Sequence, residues 1–152
     1  MRLRLGEGLA AAGALALLVV MFMGWYGAKA QPAGDTLNAW EAFAVTDLVL
    51  AAVCLLALAL AVAQVTQRAP ALPVAFGVLA SAASIVALVL LAYRILNEPG
   101  PDDLVEVRAG AWLGFAALAL VAAGAWRSIG DETPVAGDEG AVSVERRPAP
   151  GA

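Results

Sequence analysis

Asp47 carries the clearest chemical potential in this chain, because it interrupts an otherwise apolar stretch running from Phe43 to Val65. A carboxylate inside such a stretch either meets a partner or marks a path for protons or ions. If the helix carrying it starts at Trp40, Asp47 lies about 10 Å further along, at 1.5 Å rise per residue. The next apolar stretch runs back antiparallel and brings Arg94 to the same level, so the expected arrangement is a structural Asp47–Arg94 ion pair. Glu41 and Arg108 lie close enough to extend it into a network. Two other arrangements compete. In one, Asp47 serves transport chemistry; in the other it is merely interfacial, since Leu48 to Val65 alone is almost long enough to span a bilayer and Arg94 can snorkel outward beside Tyr93.

Other chemistries lack their parts. The chain has no histidine and a single cysteine, Cys54, two helical turns beyond Asp47 on about the same face, where a small buried apolar residue is the simplest role. A serine hydrolase needs a histidine or lysine base, an aspartyl protease a second membrane aspartate, and a metalloprotease His-Glu-x-x-His. Zinc and haem lack their usual ligands, and an intramolecular disulfide is excluded. Glycines lie within apolar runs, not in phosphate-cradling loops. The acidic Glu98-Pro99-Gly100-Pro101-Asp102-Asp103 segment has no EF-hand spacing and reads as a solvated loop. We therefore expect no enzyme, no cofactor and no metal. A net charge of −4 and a pI near 4.6 give no basic surface for nucleic acid.

The elements that position Asp47 are four apolar runs, Leu9 to Tyr26, Phe43 to Val65, Leu72 to Tyr93 and Ala109 to Trp126. A hydrocarbon core of about 30 Å needs roughly 20 apolar residues in helical form, and each run is of that order. Composition agrees independently: 62% hydrophobic residues, 14% charged residues and a mean hydropathy of +0.82 leave too little polar surface for a water-soluble domain. The expected fold is all-α, a polytopic membrane protein whose four transmembrane helices form an antiparallel bundle over residues 1–129, with spans at about 8–28, 41–65, 72–96 and 108–127. Short connections make sequence neighbours antiparallel neighbours. Ala28 to Asn38 reads as a short irregular loop with Gln-Pro and Gly-Asp turn pairs and no folded ectodomain. Residues 130–152, rich in Gly, Pro, Ala and acids, read as a disordered cytoplasmic tail.

Arginines set the orientation. Arg2, Arg4, Arg68 and Arg127, with the distal Arg146 and Arg147, lie on one side; Lys29, Arg94 and Arg108 lie on the other. The first side is modestly richer, which predicts both termini in the cytoplasm of a bacterial inner (plasma) membrane. Trp25, Tyr26, Trp40, Tyr93 and Trp112 then form an outer interfacial belt, and Phe76 and Trp126 an inner one. Met1 to Ala30 also resembles a signal peptide, with Ala28-Lys29-Ala30 fitting the small-x-small cleavage rule. Its apolar stretch exceeds the usual 7 to 15 residues, so we expect it to be retained as a span.

Small residues recur at helical spacing. Gly110, Gly114, Ala117 and Gly124 share one face of the fourth run, Gly6, Gly13, Gly24 and Gly27 mark the first, and Gly77, Ser81 and Ser84 line the third. Such faces let helix backbones approach in lipid, where the hydrophobic effect no longer drives association. The expected partners are therefore the lipid bilayer and, through these faces, a second copy or another membrane protein.

Four segments carry a resemblance: Met-Gly-Trp-Tyr at 23 to 26, Asn-Ala-Trp-Glu-Ala-Phe at 38 to 43 with the following Asp47, Tyr-Arg-Ile-Leu-Asn-Glu-Pro-Gly at 93 to 100, and Gly-Ala-Trp-Leu-Gly at 110 to 114. In this order the chain resembles, over about residues 1 to 132, a group of uncharacterised four-helix integral membrane proteins of actinobacteria with no known activity. The resemblance implies the four-span layout and a bacterial inner membrane, and it matches Trp25, Trp40, Asp47 and Arg94 to motif positions. Small multidrug resistance transporters are similar only in architecture. Their essential glutamate lies mid-way along the first helix, where this chain has Ala, Leu and Val, and architecture does not carry function. The expected role is a structural or accessory subunit; the alternative is a small oligomeric transporter or channel using Asp47.

Overall fold

The computed structural model describes residues 4–31, 34–66, 71–100 and 104–132. Arg2, Arg68, Asp102, Asp103, Arg146 and Arg147, and the tail beyond Glu132, lie outside the described residues. The chain is mostly helical, in the order α1 (Leu5–Val20), β1 (Tyr26–Ala28), β2 (Thr36–Leu37), α2 (Ala39–Ala42), α3 (Thr46–Thr66), α4 (Ala71–Leu96), β3 (Val105–Val107) and α5 (Ala109–Glu132). Three helices are long and apolar enough to cross a membrane, over Thr46–Thr66, Val74–Leu96 and Ala109–Gly130. The first helix is shorter than its apolar run, ending at Val20 instead of continuing towards residue 28, and α5 continues two residues past the expected start of the tail.

The segment after α1 forms part of a sheet and is not the irregular loop that its turn pairs suggest. β1 pairs antiparallel with β2 (Tyr26 opposite Leu37) and with β3 (Tyr26 opposite Val107, Gly27 opposite Glu106), giving the order β2-β1-β3. Aromatic and β-branched Tyr26, Thr36, Val105 and Val107 suit a pleated surface. The sheet joins the connection between α1 and α3 to the one between α4 and α5, so it closes one end of the helices. Its anchor is Gly24-Trp25. Trp25 N–H donates to the Leu37 carbonyl at 2.8 Å, Arg108 N–H donates to the Trp25 carbonyl at 2.8 Å, and Gly110 N–H donates to the Gly24 carbonyl at 3.1 Å.

Trp25 and Tyr26 are wholly buried, which corrects their expected place in the interfacial belt. The indole N–H donates at 2.8 Å to the Val20 carbonyl, which also accepts Met23 N–H at 2.9 Å, so the ring's polar edge is satisfied at the end of α1. The ring lies on α5 where Gly110 and Gly114 have no side chain. A Cβ built on Gly114 stands 2.6 Å from the ring's far edge, and one on Gly110 stands 2.8 Å from Cδ1. The Gly110-x-x-x-Gly114 face therefore seats an indole, not a second helix.

Closer to the opposite end, glycines bring α1 and α5 backbone to backbone. A Cβ on Gly6 meets Ser128 N at 2.6 Å, one on Gly13 meets Val121 N at 2.9 Å, and one on Gly124 meets Ala10 N. Around this contact α1 also packs on α3, and α4 packs on both α3 and α5. The inward residues include many small ones (Ala10, Ala14, Ala57, Ala80, Ala87, Ala125) beside Leu17, Leu60, Leu118 and Val121, while the outward faces carry Leu55 at 69% exposure, Val89 at 65% and Leu15 at 55%.

This contact predicts opposite signs for two alanine substitutions in thermal unfolding of the detergent-solubilised protein. Gly124→Ala pushes a methyl into α1 backbone and lowers the midpoint. Gly8→Ala, whose Cβ would meet nothing within 4 Å, gains roughly 0.5–1 kcal/mol from helix propensity and raises it.

Candidate functional site

The sequence places Asp47 two turns inside a helix begun at Trp40, but the chain breaks before then. Asn38 caps the short α2, its Oδ1 accepting Glu41 N–H at 3.0 Å while Glu41 Oε2 accepts Asn38 N–H at 3.0 Å. Phe43 is extended, with φ −120° and ψ 149°, and α3 starts only at Thr46. Asp47 consequently occupies the first turn of α3, where the helix dipole and unbonded amides favour a negative charge. Glu41 is engaged in the α2 cap, and Arg108 Nη2 pairs with Glu106 at 2.8 Å, so neither joins a network around Asp47.

Among the described residues, Asp47 and Arg94 do not pair. Asp47 is buried at 8% exposure, and its Oδ1 has no hydrogen-bond partner. Arg94 instead places its guanidinium 5.7 Å from the centre of the Phe43 ring. Phe43 is the hub of this end of the molecule, meeting Trp25 and Tyr26 edge-on at centroid distances of 5.7 Å each. A cation over an aromatic face gains about 0.5–2 kcal/mol depending on its desolvation. The extended Phe43 thus takes the position of counter-group that the sequence assigns to Asp47.

Tyr26 ties β1 to α4, its hydroxyl donating to the Arg94 carbonyl at 2.9 Å. Burial pushes the Tyr26 phenol up to about 12, the Arg94 guanidinium working against that rise and the Glu98 carboxylate adding to it. Glu98 Oε2 and Trp40 Nε1 are also buried without hydrogen-bond partners. The sheet end therefore holds, at separate positions, two carboxylate oxygens and an indole N–H without partners, a guanidinium on a ring, and two aromatic residues packed on Phe43. Such a set can hold a charge or hydrogen-bond a ligand; it supplies no nucleophile with an adjacent base.

The remaining singled-out residues fall into separate places. Tyr93, Trp112 and Trp126 are exposed at 58%, 59% and 68%, and Trp40 is half-buried against Phe22, with ring centres 6.0 Å apart. Ala117 and Gly124 face α1, Gly110 and Gly114 face Trp25, and Cys54 is buried. Sequence reasoning missed Glu7, which is wholly buried near the start of α1. It precedes the first apolar run and so escaped notice as an interrupting charge. The available signal was its place three residues after the first residue outside the helix, where a glutamate reaches back to cap: Arg4 N–H donates to Glu7 Oε2 at 2.7 Å.

Two measurements check this geometry. In a double-mutant cycle, Asp47→Asn and Arg94→Gln should add in unfolding free energy within about 0.5 kcal/mol, because the two side chains share no bond; a larger coupling would restore the direct pair. Above pH 10 the unfolded chain releases the Tyr26 proton while the folded chain keeps it up to about 12, so stability falls as pH rises through that window. Tyr26→Phe should flatten this part of the stability curve relative to the unmodified protein. No family model, curated protein or solved structure matches the chain, so what it does is argued from its own residues.

Proposed function

We propose that this chain is a multi-pass protein of a bacterial inner membrane, a four-helix antiparallel bundle with both termini cytoplasmic, and that it serves as a structural or accessory subunit and not as an enzyme. One observation carries the reading: the outer surface of the helices is as apolar as their interior. Leu48, Leu55 and Val62 line the outside of α3, Val78, Val86 and Val89 that of α4, while alanine, glycine and serine make much of the interior contact. In water so extensive an apolar belt drives aggregation. In lipid it costs nothing, and helix association falls to the close backbone contact that small residues permit.

The 16 residues of α1 span about 24 Å, short of a hydrocarbon core of about 30 Å. Exposed Phe22 and Met23 continue the apolar surface beyond its end, and a local thinning of the bilayer accommodates the rest at modest cost. The sheet then lies outside the membrane, with Tyr93 and Trp112 near its level and Trp126 at the other interface. Counted along the sequence, Arg2, Arg4, Arg68 and Arg127 against Lys29, Arg94 and Arg108 favour a cytoplasmic placement for the end away from the sheet.

The glycines that the sequence offers for association are occupied within the chain. A second copy or another membrane protein would therefore meet the outward faces of α3 and α4, between which an apolar groove of about 380 Å³ is lined by residues including Val49, Leu56, Leu79 and Val86. A second reading, a small oligomeric transporter or channel, is favoured by the unpartnered Oδ1 of Asp47.

Single cysteines in a Cys54→Ala background test both readings with a membrane-impermeant maleimide applied to intact cells. Asp35→Cys, on the exposed turn before β2, should label from outside, and Ser143→Cys only after lysis. The reverse pattern would overturn the orientation. Asp47→Cys should stay unlabelled in a packed subunit; rapid labelling would favour the transport reading.

A further inference from the structure

Arg94 carries a charge that nothing in the fold matches. Its guanidinium, ionised at any ordinary pH, stands 5.7 Å from the centre of the Phe43 ring. Among the described residues no carboxylate pairs with it, and none of its N–H groups bonds an acceptor. A ring face offsets only part of what a guanidinium loses on leaving water, because it accepts none of those hydrogen bonds.

This charge stands at the head of the apolar groove between α3 and α4, which holds about 380 Å³ and is lined only by Ala, Val and Leu. On α4, Ala82 and Val86 line the groove, and the same i, i+4 row continues through exposed Leu90 to Arg94. On α3, Val49 lines it, and exposed Val45, whose carbonyl accepts Val49 N–H at 3.1 Å, extends the apolar path towards Phe43. Because Phe43 leads into α3, the contact of the Arg94 guanidinium with its ring sets the charge at the seam between the two helices. The lengths match one leaflet. Leu79, at the other end of the groove, lies about 22 Å from Arg94 along α4 at 1.5 Å rise per residue. Half a hydrocarbon core with one headgroup layer comes to about 20–22 Å.

We propose that this groove binds one phospholipid of the outer leaflet, phosphatidylglycerol in the first instance, with its phosphate on Arg94 and one acyl chain along α3 and α4. The site rests on the membrane reading above. A phosphate offers the planar guanidinium two acceptor oxygens at once and a single negative charge for its single positive one. The apolar lining asks nothing of the chain but contact. A second copy suits the groove less well, since crossing the membrane in the same direction it brings its own Arg94 to the same level and sets like charges together.

Native mass spectrometry of the full-length, delipidated protein in detergent tests the site with three probes: phosphatidylglycerol, diacylglycerol with the same chains, and glycerol phosphate. One phosphatidylglycerol should bind, and the other two should bind about tenfold more weakly or worse, one lacking the phosphate and the other the chains. Arg94→Gln should weaken phosphatidylglycerol about tenfold. Ala82→Phe fills the groove from an exposed position, and should weaken it as far while leaving the unfolding midpoint in detergent unchanged. Diacylglycerol binding as tightly as phosphatidylglycerol overturns the site, as does undiminished binding in Arg94→Gln. If Arg94→Gln does not fold, undiminished binding in Ala82→Phe overturns it instead. A lipid-free dimer that Ala82→Phe dissociates gives the groove to a second copy and also overturns it. A chain that resists carbonate extraction from membranes yet binds no phosphatidylglycerol overturns the site alone; one that is released overturns the membrane reading beneath it.

Discussion

The seating of the Trp25 indole on Gly110 and Gly114 is the interaction on which this molecule turns. A tryptophan needs both apolar contact and a partner for its N–H when it leaves water. Here α5 supplies the first by presenting two positions without side chains, and the end of α1 supplies the second through the Val20 carbonyl. Because the Trp25 backbone is bonded on one side to Leu37 and on the other to Arg108, the ring cannot sit down without bringing the two connections together. The three-stranded sheet, the burial of Tyr26 and the stacking around Phe43 all follow from that closure.

The two ends of the molecule are built on different principles. Near the sheet the interior is filled by large rings, and contacts are sealed by side chains whose polar tips reach backbone carbonyls, as Tyr26 does at Arg94. Away from it glycine, alanine and serine share the interior with Leu60, Leu118 and Val121, and α1 and α5 approach until their backbones touch. The first kind of packing suits a region that must exclude water by itself. The second suits a bilayer, where lipid covers the outward leucines and valines and only close van der Waals contact distinguishes helix from lipid as a neighbour.

The three long helices were legible in the sequence, because a run of some twenty apolar residues has few alternatives. The end of α1 was not, because Met21 to Tyr26 continues the apolar run and hydropathy cannot tell lipid-facing residues from a tryptophan that folds back into the protein. Strands of two and three residues are too short to show alternation, and β1 pairs with β3 across some eighty residues of sequence. Phe43 and Asp47 show the same limit at the candidate site. Placing Asp47 deep in a helix required the helix to run unbroken from Trp40, and the Asn38–Glu41 cap ends its turn at Ala42. Glycine spacing was readable as close contact, but spacing alone does not say whether a ring or a backbone fills the gap. Glu7 was hidden for a simpler reason, since a charge just ahead of an apolar run looks like a flanking residue.

The strand order has a consequence for biogenesis. β1 and β2 are separated by seven residues and can pair as soon as both have been synthesised. β3 and the seat at Gly110 and Gly114 belong to residues made some eighty positions later, after two further helices have been synthesised. Until then Trp25 has its hairpin but no pocket, so the first half of the protein must wait with this side chain uncovered. The last helix to be made is therefore the one that completes the first, and a chain that stops before α5 leaves Trp25 without its seat.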